Sequence, residues 1–357
     1  MSGSDPDVAV EHAQPDVSGS DPVVSFRDVL GASARPLGDN VAPVPHVIHW
    51  DEVDAGRREA GHIGGSWRNL GTAAGTRGVG VKLIDVDAGK WSTPAHVEGA
   101  EEEIFFVLAG SGLSWQDDGR GGVAYEARAG DCLVHLAEAE AHTLRAGPDG
   151  LRVLAYGQRL PHGNTVLPRA GVAWMSPGFV DVTVIGEARH PFLREAEAGE
   201  PEVGELMERP ASIVNLEDVP GEEYDRPGYA GLERDLARAA GSEATGLRHV
   251  VVEPGCLSAP PHCHSAEEEI FVVLDGEGTL LLGGDEHPVH AGSVVARPPG
   301  TRISHALRAG DGGLTYLAYG TREPNDIAYY PRSRKVYFRG VGLMTRLEHL
   351  DYWDGEP

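Results

Sequence analysis

The chain has 357 residues, of which 41% are hydrophobic, with 48 glycines, 25 prolines and three cysteines. Its 30 basic against 55 acidic side chains give a formal charge of −25. No basic run offsets this, which excludes nucleic acid and anionic membrane surfaces as expected partners. The length favours two domains. No apolar run reaches membrane-spanning length, and the N-terminus lacks a basic segment followed by an apolar one. Cys132, Cys256 and Cys263 form no disulfide framework. A reducing, cytoplasmic setting is the expectation.

Residues 1–44 are rich in Asp, Ser and Pro, with Asp5, Asp7, Glu11, Asp16, Asp21, Asp28 and Asp39 against Arg27 and Arg35. Too little apolar surface is present to offset chain entropy, so this segment is expected to be disordered. Beyond it the chain repeats itself. V-I-H-W-D-E-V at Val47–Val53 aligns with I-V-N-L-E-D-V at Ile213–Val219, an offset of 166. The same offset carries E-E-E-I-F-F-V-L at Glu101–Leu108 onto E-E-E-I-F-V-V-L at Glu267–Leu274. Later the offset becomes 163, as H-T-L-R-A-G at His142–Gly147 matches H-A-L-R-A-G at His305–Gly310. A tandem duplication follows, with domains expected at 45–201 and 211–357.

Each half reads as short β-branched and aromatic runs between Gly, Pro and Asp clusters. Strands are predicted in the first half at Gly80–Val86, Ile104–Leu108, Gly112–Trp115, Cys132–Leu136 and Leu151–Tyr156. Those of the second are Leu247–Val252, Ile270–Leu274, Thr279–Leu282, Ser293–Ala296 and Thr315–Tyr319. Apolar residues at helical spacing predict a helix over Gly228–Ala240, with a weaker counterpart at Gly64–Ala74. Many short strands without βαβ alternation mean an all-β fold, closed into jelly rolls or barrels to remove open edges.

One stretch carries chemistry. In Gly255–Gly276, His262 and His264 stand two apart and so share one face of a strand, while Glu269 begins the next apolar run. With His305 downstream they make a set of three imidazoles and one carboxylate, suited to Mn, Fe, Co, Ni or Zn. The spacing Gly255-x6-His262-x-His264-x4-Glu269-x6-Gly276 resembles the first signature of the cupin superfamily. Gly292-x5-Pro298-x-Gly300-x4-His305 is similar to the second, with two extra residues before the histidine. The resemblance implies two double-stranded β-helix barrels, a bicupin, from about residue 46 to the C-terminus. It also implies that His262, His264, Glu269 and His305 are metal ligands.

The first half departs from this pattern. Gly89-x6-His96-x-Glu98-x4-Glu103-x6-Gly110 places Glu98 where the second half has His264, and His142 closes the set. His96, Glu98, Glu103 and His142 offer two carboxylates that would cancel a divalent charge. The second site, with one, would stay cationic by about one unit and be the better host for an anionic substrate. Arg297 and Arg302 flank the Pro-Gly turn as candidate carboxylate anchors in catalysis, weighed against surface ion pairing. Glu101-Glu102 and Glu267-Glu268 read as solvated neighbours. Phe271 shares the inward face of Glu269, and Cys263 points away from the ligands.

The expected function is a metal-dependent oxidoreductase of dioxygenase type acting on a small organic acid or phenolic, with one Mn, Fe or Zn ion per occupied barrel. The two-barrel architecture resembles oxalate decarboxylases and gentisate-type dioxygenases. A redox-neutral isomerase, lyase or decarboxylase, or a binding protein without turnover, stands as the alternative. The cupin resemblance and the apolar run Val336–Phe338 admit strand-mediated homo-oligomers.

Overall fold

The structure is a computed structural model that describes residues 47–175, 178–181, 191–348 and 350–356. The acidic segment 1–44 and its expected disorder lie outside these. Two eight-stranded antiparallel sheets dominate. The first runs Ile213–Asn215, Asp131–His135, Glu103–Asp117, Ala141–Gln158, Val79–Val86, Ile63–Asn69, Gly56–Ala60, with Val123–Arg128 paired beside Glu103–Asp117. The second runs Val47–His49, Ser293–Arg297, Glu269–Leu282, His305–Thr321, Thr245–Val252, Tyr229–Asp235, Glu222–Arg226, with Asp285–His290 beside Glu269–Leu282. Each half adds a four-stranded sheet, and the all-β, double jelly-roll fold is as expected.

The outermost strands are exchanged between repeats. Val47–His49 opens the first repeat but pairs with Ser293–Arg297 of the second, with Ile48 opposite Val294. Ile213–Asn215 opens the second repeat and pairs with Asp131–His135 of the first, with Val214 opposite Cys132. Sheets and sequence repeats therefore do not coincide.

The apolar runs that read as unbroken in sequence are buried on both faces. Along Glu103–Asp117, Phe105 and Val107 pack inside the first barrel with Leu133, Leu144 and Val153. Ile104 and Phe106 face the other way, into a core shared with Leu236, Leu247, Ile270, Val272 and Tyr319 of the second repeat. Phe271 and Val273 repeat the inward role in the second barrel. Alternation thus fixes Glu103 and Glu269 on the inward faces. The predicted pairs Ile104–Leu108 with Gly112–Trp115 and Ile270–Leu274 with Thr279–Leu282 are each one continuous strand, kinked at a bulge. Gly110 and Gly276 sit at those bulges with φ of 83° and 80°, and a Cβ at either would strike the carbonyl of Gly150 or Gly313.

Two expectations are corrected. Gly228–Ala240 is not a helix: Tyr229–Asp235 is a strand paired on both sides, and only Leu236–Ala239 is helical. Two-sided pairing overrides the local apolar spacing, and the Asp235 carboxylate caps the short helix through Arg238 N. The counterpart splits likewise into the strand Ile63–Asn69 and the helix Leu70–Ala74. Glu102, Glu267 and Glu268 are not solvated but buried at 4%, 7% and 3% exposure. The Val336–Phe338 run sits in an interior strand, Lys335–Phe338, flanked by Ile327–Tyr330 and by the edge strand Leu343–Arg346.

Candidate metal centres

In the second barrel the cluster forms where the small sheet meets the large one. Cys263–His264 pairs with Ile327–Tyr330, setting His264 opposite Ala328. His262 and His305 exchange backbone hydrogen bonds of 3.2 and 2.8 Å, which locks the two imidazole-bearing segments together. Glu269 enters from the first position of Glu269–Leu282. Ligand atoms of His262, Glu269 and His305 lie within 4.8 Å of one another. His264 Nε2 is 3.3 Å and His305 Nε2 is 2.9 Å from Glu269 Oε2.

These distances are short, yet among the described residues His264 Nε2, His305 Nε2 and Glu269 Oε2 are all buried without a hydrogen-bond partner. Close approach without hydrogen-bond alignment is what donors aimed at a common point produce, and orphaned polar atoms of this kind need a further occupant. A divalent ion fits the set of three imidazoles and a carboxylate.

The imidazoles are oriented from behind. His262 Nδ1 is 2.9 Å from the Pro260 carbonyl, and His264 Nδ1 is 2.7 Å from Asp326 Oδ2. Both contacts call for a proton on Nδ1 and leave the Nε2 lone pair for a ligand role. Burial pushes the His264 imidazolium down, but Asp326 and Glu269 outweigh it and raise the group to about 10. Burial lowers His305 to about 4. Glu269 is held well below the usual carboxylate range, because His264 and His305 overcome its burial. The Glu269 carboxylate is thus held ionised between the two imidazoles.

Arg297 lies directly opposite Glu269 across the strand pair and is 3% exposed. Its Nη2 donates to the Ile303 carbonyl at 3.0 Å, and its Nε has no partner among the described residues. Burial lowers its pKa while Glu269 raises it. The alternative of a surface ion pair is therefore wrong for Arg297. Arg302, just past the Pro298–Gly300 turn, is exposed, with a φ of 56°. Phe271 packs 5.6 Å from His305, and Tyr330 stacks on His262 at 5.5 Å.

The first barrel brings its four residues together differently. His96 Nε2 and His142 Nε2 contact Glu103 Oε2 at 3.1 and 3.0 Å in proper hydrogen bonds. Glu98 Oε1 lies 3.8 Å from His96, while its Oε2 accepts from Thr165 at 2.6 Å. Burial, with Glu103 nearby, raises the Glu98 carboxyl. Glu103 is held well below its usual range because His142 and His96 overcome its burial. His135 stands where the second barrel has Arg297, opposite Glu103, stacked on His142 at 3.8 Å and bonded to Glu140 at 2.7 Å.

Sequence reasoning missed Asp326, Glu267, Tyr330 and His135. A third cluster, His264 with Glu267 and Asp326, sits on the Nδ1 side of His264. There Arg339 pairs with Glu267, and Asp326 Oδ1 accepts from Ser265, Ala266 and Glu267 N–H groups. That cluster is a hydrogen-bonded support for His264. Extending the 163 offset beyond Leu154–Gly157 would have flagged it, since Asp326 falls on Gly163. A cavity of about 820 Å³ on the first barrel, lined among others by Ser111, Arg128, Arg145 and Arg209, contains none of the clustered residues.

Among the described residues no helix is long and apolar enough to cross a membrane, and the three cysteines are free thiols. Residues 248–318 match the cupin domain family. Auxin-binding protein 1 of Arabidopsis thaliana is 32% identical over 157 residues, covering 40% of this chain and 72% of that protein. Auxin-binding protein T92 of Nicotiana tabacum is 35% identical over 86 residues, 23% of this chain and 42% of that protein. Among solved structures, the Lactobacillus farciminis oxalate decarboxylase formate complex superposes with a TM-score of 0.54 at 16% identity, over 81% of this chain and 89% of that one. Oxalate decarboxylase from Bacillus subtilis at pH 4.6 gives 0.52 at 14%, over 80% and 78%. The chain belongs to the cupin superfamily, with the two-barrel architecture of a bicupin.

Proposed function

We propose that the second barrel is the working site of a metal-dependent enzyme acting on a small organic acid, most simply as an oxidoreductase of dioxygenase type. His262, His264, Glu269 and His305 would hold the ion. A divalent Mn, Fe or Zn there supplies Lewis-acid polarisation of substrate oxygens and, for Mn or Fe, redox chemistry with dioxygen. The observation that carries this reading is the pairing of orphaned donors with a buried guanidinium, Arg297, directly across from Glu269. Arg297 retains an unpartnered Nε and would bind a substrate carboxylate, a task that a planar guanidinium performs well. Phe271 and Tyr330 put aromatic rings beside His305 and His262.

Two other outcomes are distinguished by one experiment. The two solved structures compared above are oxalate decarboxylases, which makes oxalate the first acid to assay. The curated relatives carry binding in their names, which supports a reading without turnover. Protein loaded separately with Mn, Fe and Zn is incubated with a panel of mono- and dicarboxylic and phenolic acids, following oxygen uptake and carbon dioxide release. Oxygen consumption that needs Mn or Fe and disappears in Glu269→Gln supports the oxidoreductase. Carbon dioxide release without net oxygen uptake replaces it with the decarboxylase. Calorimetric binding of an acid with no turnover under any metal leaves a binding protein.

A further inference from the structure

The position that differs between the two sites does not differ alone. His264 pairs across its strand with Ala328, and Glu98 pairs across its strand with Thr165, so the two ligands occupy equivalent places. Two residues before Ala328 stands Asp326, whose carboxylate meets His264 Nδ1 at 2.7 Å. Two residues before Thr165 stands Gly163. A Cβ at Gly163 would lie 2.6 Å from Glu101 Oε1, so a side chain there would have to displace the Glu101 carboxylate.

Each arrangement suits its own ligand and would fail with the other. Asp326 supplies the acceptor that an imidazole needs behind it, and a carboxylate in place of His264 would face Asp326 charge to charge. Thr165 supplies a hydroxyl donor to Glu98 at 2.6 Å, and Ala328 would leave that carboxylate without one. The absence of a carboxylate at 163 removes a repulsion that Glu98 could not tolerate beside Glu103.

We infer that His264–Asp326–Ala328 and Glu98–Gly163–Thr165 are alternative three-residue modules that give the two barrels different metal preferences. The imidazole module favours borderline ions such as Co or Zn, and the carboxylate module favours a harder, oxygen-seeking ion such as Mn. This rests on the proposed reading that the clusters bind metal, and it names how they differ. Asp326 acts through His264 and is a positioning residue.

The test uses the full chain stripped of metal and titrated with Co(II), Mn(II) and an equal mixture, reading visible Co(II) absorption and metal stoichiometry. Asp326→Asn keeps an acceptor for the Ser265–Glu267 N–H groups, so the loop is retained. It should weaken Co(II) binding at the second barrel by about 10- to 100-fold, the usual cost of losing such a partner. His264→Glu alone should bind either ion poorly, while His264→Glu/Asp326→Gly/Ala328→Thr should regain an ion and prefer Mn(II). In the first barrel, Glu98→His alone should likewise bind either ion poorly, because Gly163 offers no acceptor behind an imidazole. Unchanged Co(II) affinity in Asp326→Asn overturns the inference, as does a single His264→Glu that binds as tightly as the triple variant. Metal uptake with equal preference at both barrels overturns it while leaving the proposed function standing. A wild-type chain that binds neither ion overturns both.

Discussion

Glu102 and Glu268 perform the same act in opposite directions. Glu102 accepts from the backbone N–H groups of Glu243, Ala244 and Thr245 in the second repeat, at 2.7, 2.6 and 3.2 Å. Glu268 accepts from Arg77, Gly78 and Val79 in the first, and these are the same three positions displaced by the repeat offset. Ser242 and Thr245 add hydroxyl donors to Glu102 at 2.7 and 2.9 Å. Replacing either glutamate with Ala leaves several buried donors unmet. Each variant should lose roughly 3 kcal/mol of stability, from the usual cost of removing a charged acceptor. Urea unfolding measures it, and a loss under about 0.5 kcal/mol would refute the linking role.

The same carboxylate sets a pH dependence. Burial pushes the Glu102 carboxyl up, but the donors of Ala244, Ser242, Glu243 and Thr245 outweigh it and hold the group below its ordinary 4.5. A depressed folded-state value stabilises at pH above the unfolded value, and that stability is lost as pH falls through the folded one. The difference in unfolding free energy between wild type and Glu102→Gln should therefore be constant from pH 7 to about 5 and shrink below it. A difference that widens on acidification would show the sign to be wrong.

Metal content tests the second barrel directly. His264→Ala and His305→Ala should each remove about one metal per chain, because loss of one of four donors cripples a site of this kind. Elemental analysis after dialysis reports it. Full retention in both variants would place the bound metal elsewhere.

Arg297 should matter for acid binding and not for metal. Arg297→Ala is expected to weaken affinity for a small carboxylate about 10- to 100-fold, equivalent to roughly 1.4–2.8 kcal/mol. Metal stoichiometry should hold, and Arg302→Ala should bind the acid within about twofold of wild type, as its exposure on the turn implies. Equal effects from the two arginines would remove Arg297 from the site.

Strand exchange can be probed at Ile48, which packs against the core shared by the two repeats and pairs with Val294. Ile48→Asp puts a charge at that seam and should cost roughly 2 kcal/mol. Amide exchange at Val294 and Val295 should quicken ahead of the rest of the second sheet. Protection that falls evenly across both sheets would argue against a local role for this strand.

The sequence was most readable where local pattern and repetition coincide. The apolar runs at Ile104–Leu108 and Ile270–Leu274 marked strands, and parity from Glu269 put Phe271 inside, where it packs near His305. It was least readable where a residue's meaning depends on a distant partner. Glu102 finds its donors about 140 positions away, and Asp326 reaches His264 across 62. Nothing near Glu102 distinguishes it from a solvated acid. The stretch Gly228–Ala240 misled for the same reason, since its apolar spacing is helical while its hydrogen bonds come from two other strands. The contrast between Arg297 and Arg302 also needed coordinates, because both flank the same turn and only one lies in a strand opposite Glu269.

The exchange of outermost strands has a consequence for how the chain comes off the ribosome. Val47–His49 is synthesised first, yet the strand it must join, Ser293–Arg297, is among the later ones made. The first large sheet is likewise left with an open edge at Asp131–His135 until Ile213–Asn215 appears. Neither sheet can be completed by its own repeat, and open edges of this sort invite pairing with other chains. A gene cut between the repeats should therefore yield two aggregation-prone halves that become soluble only when made together.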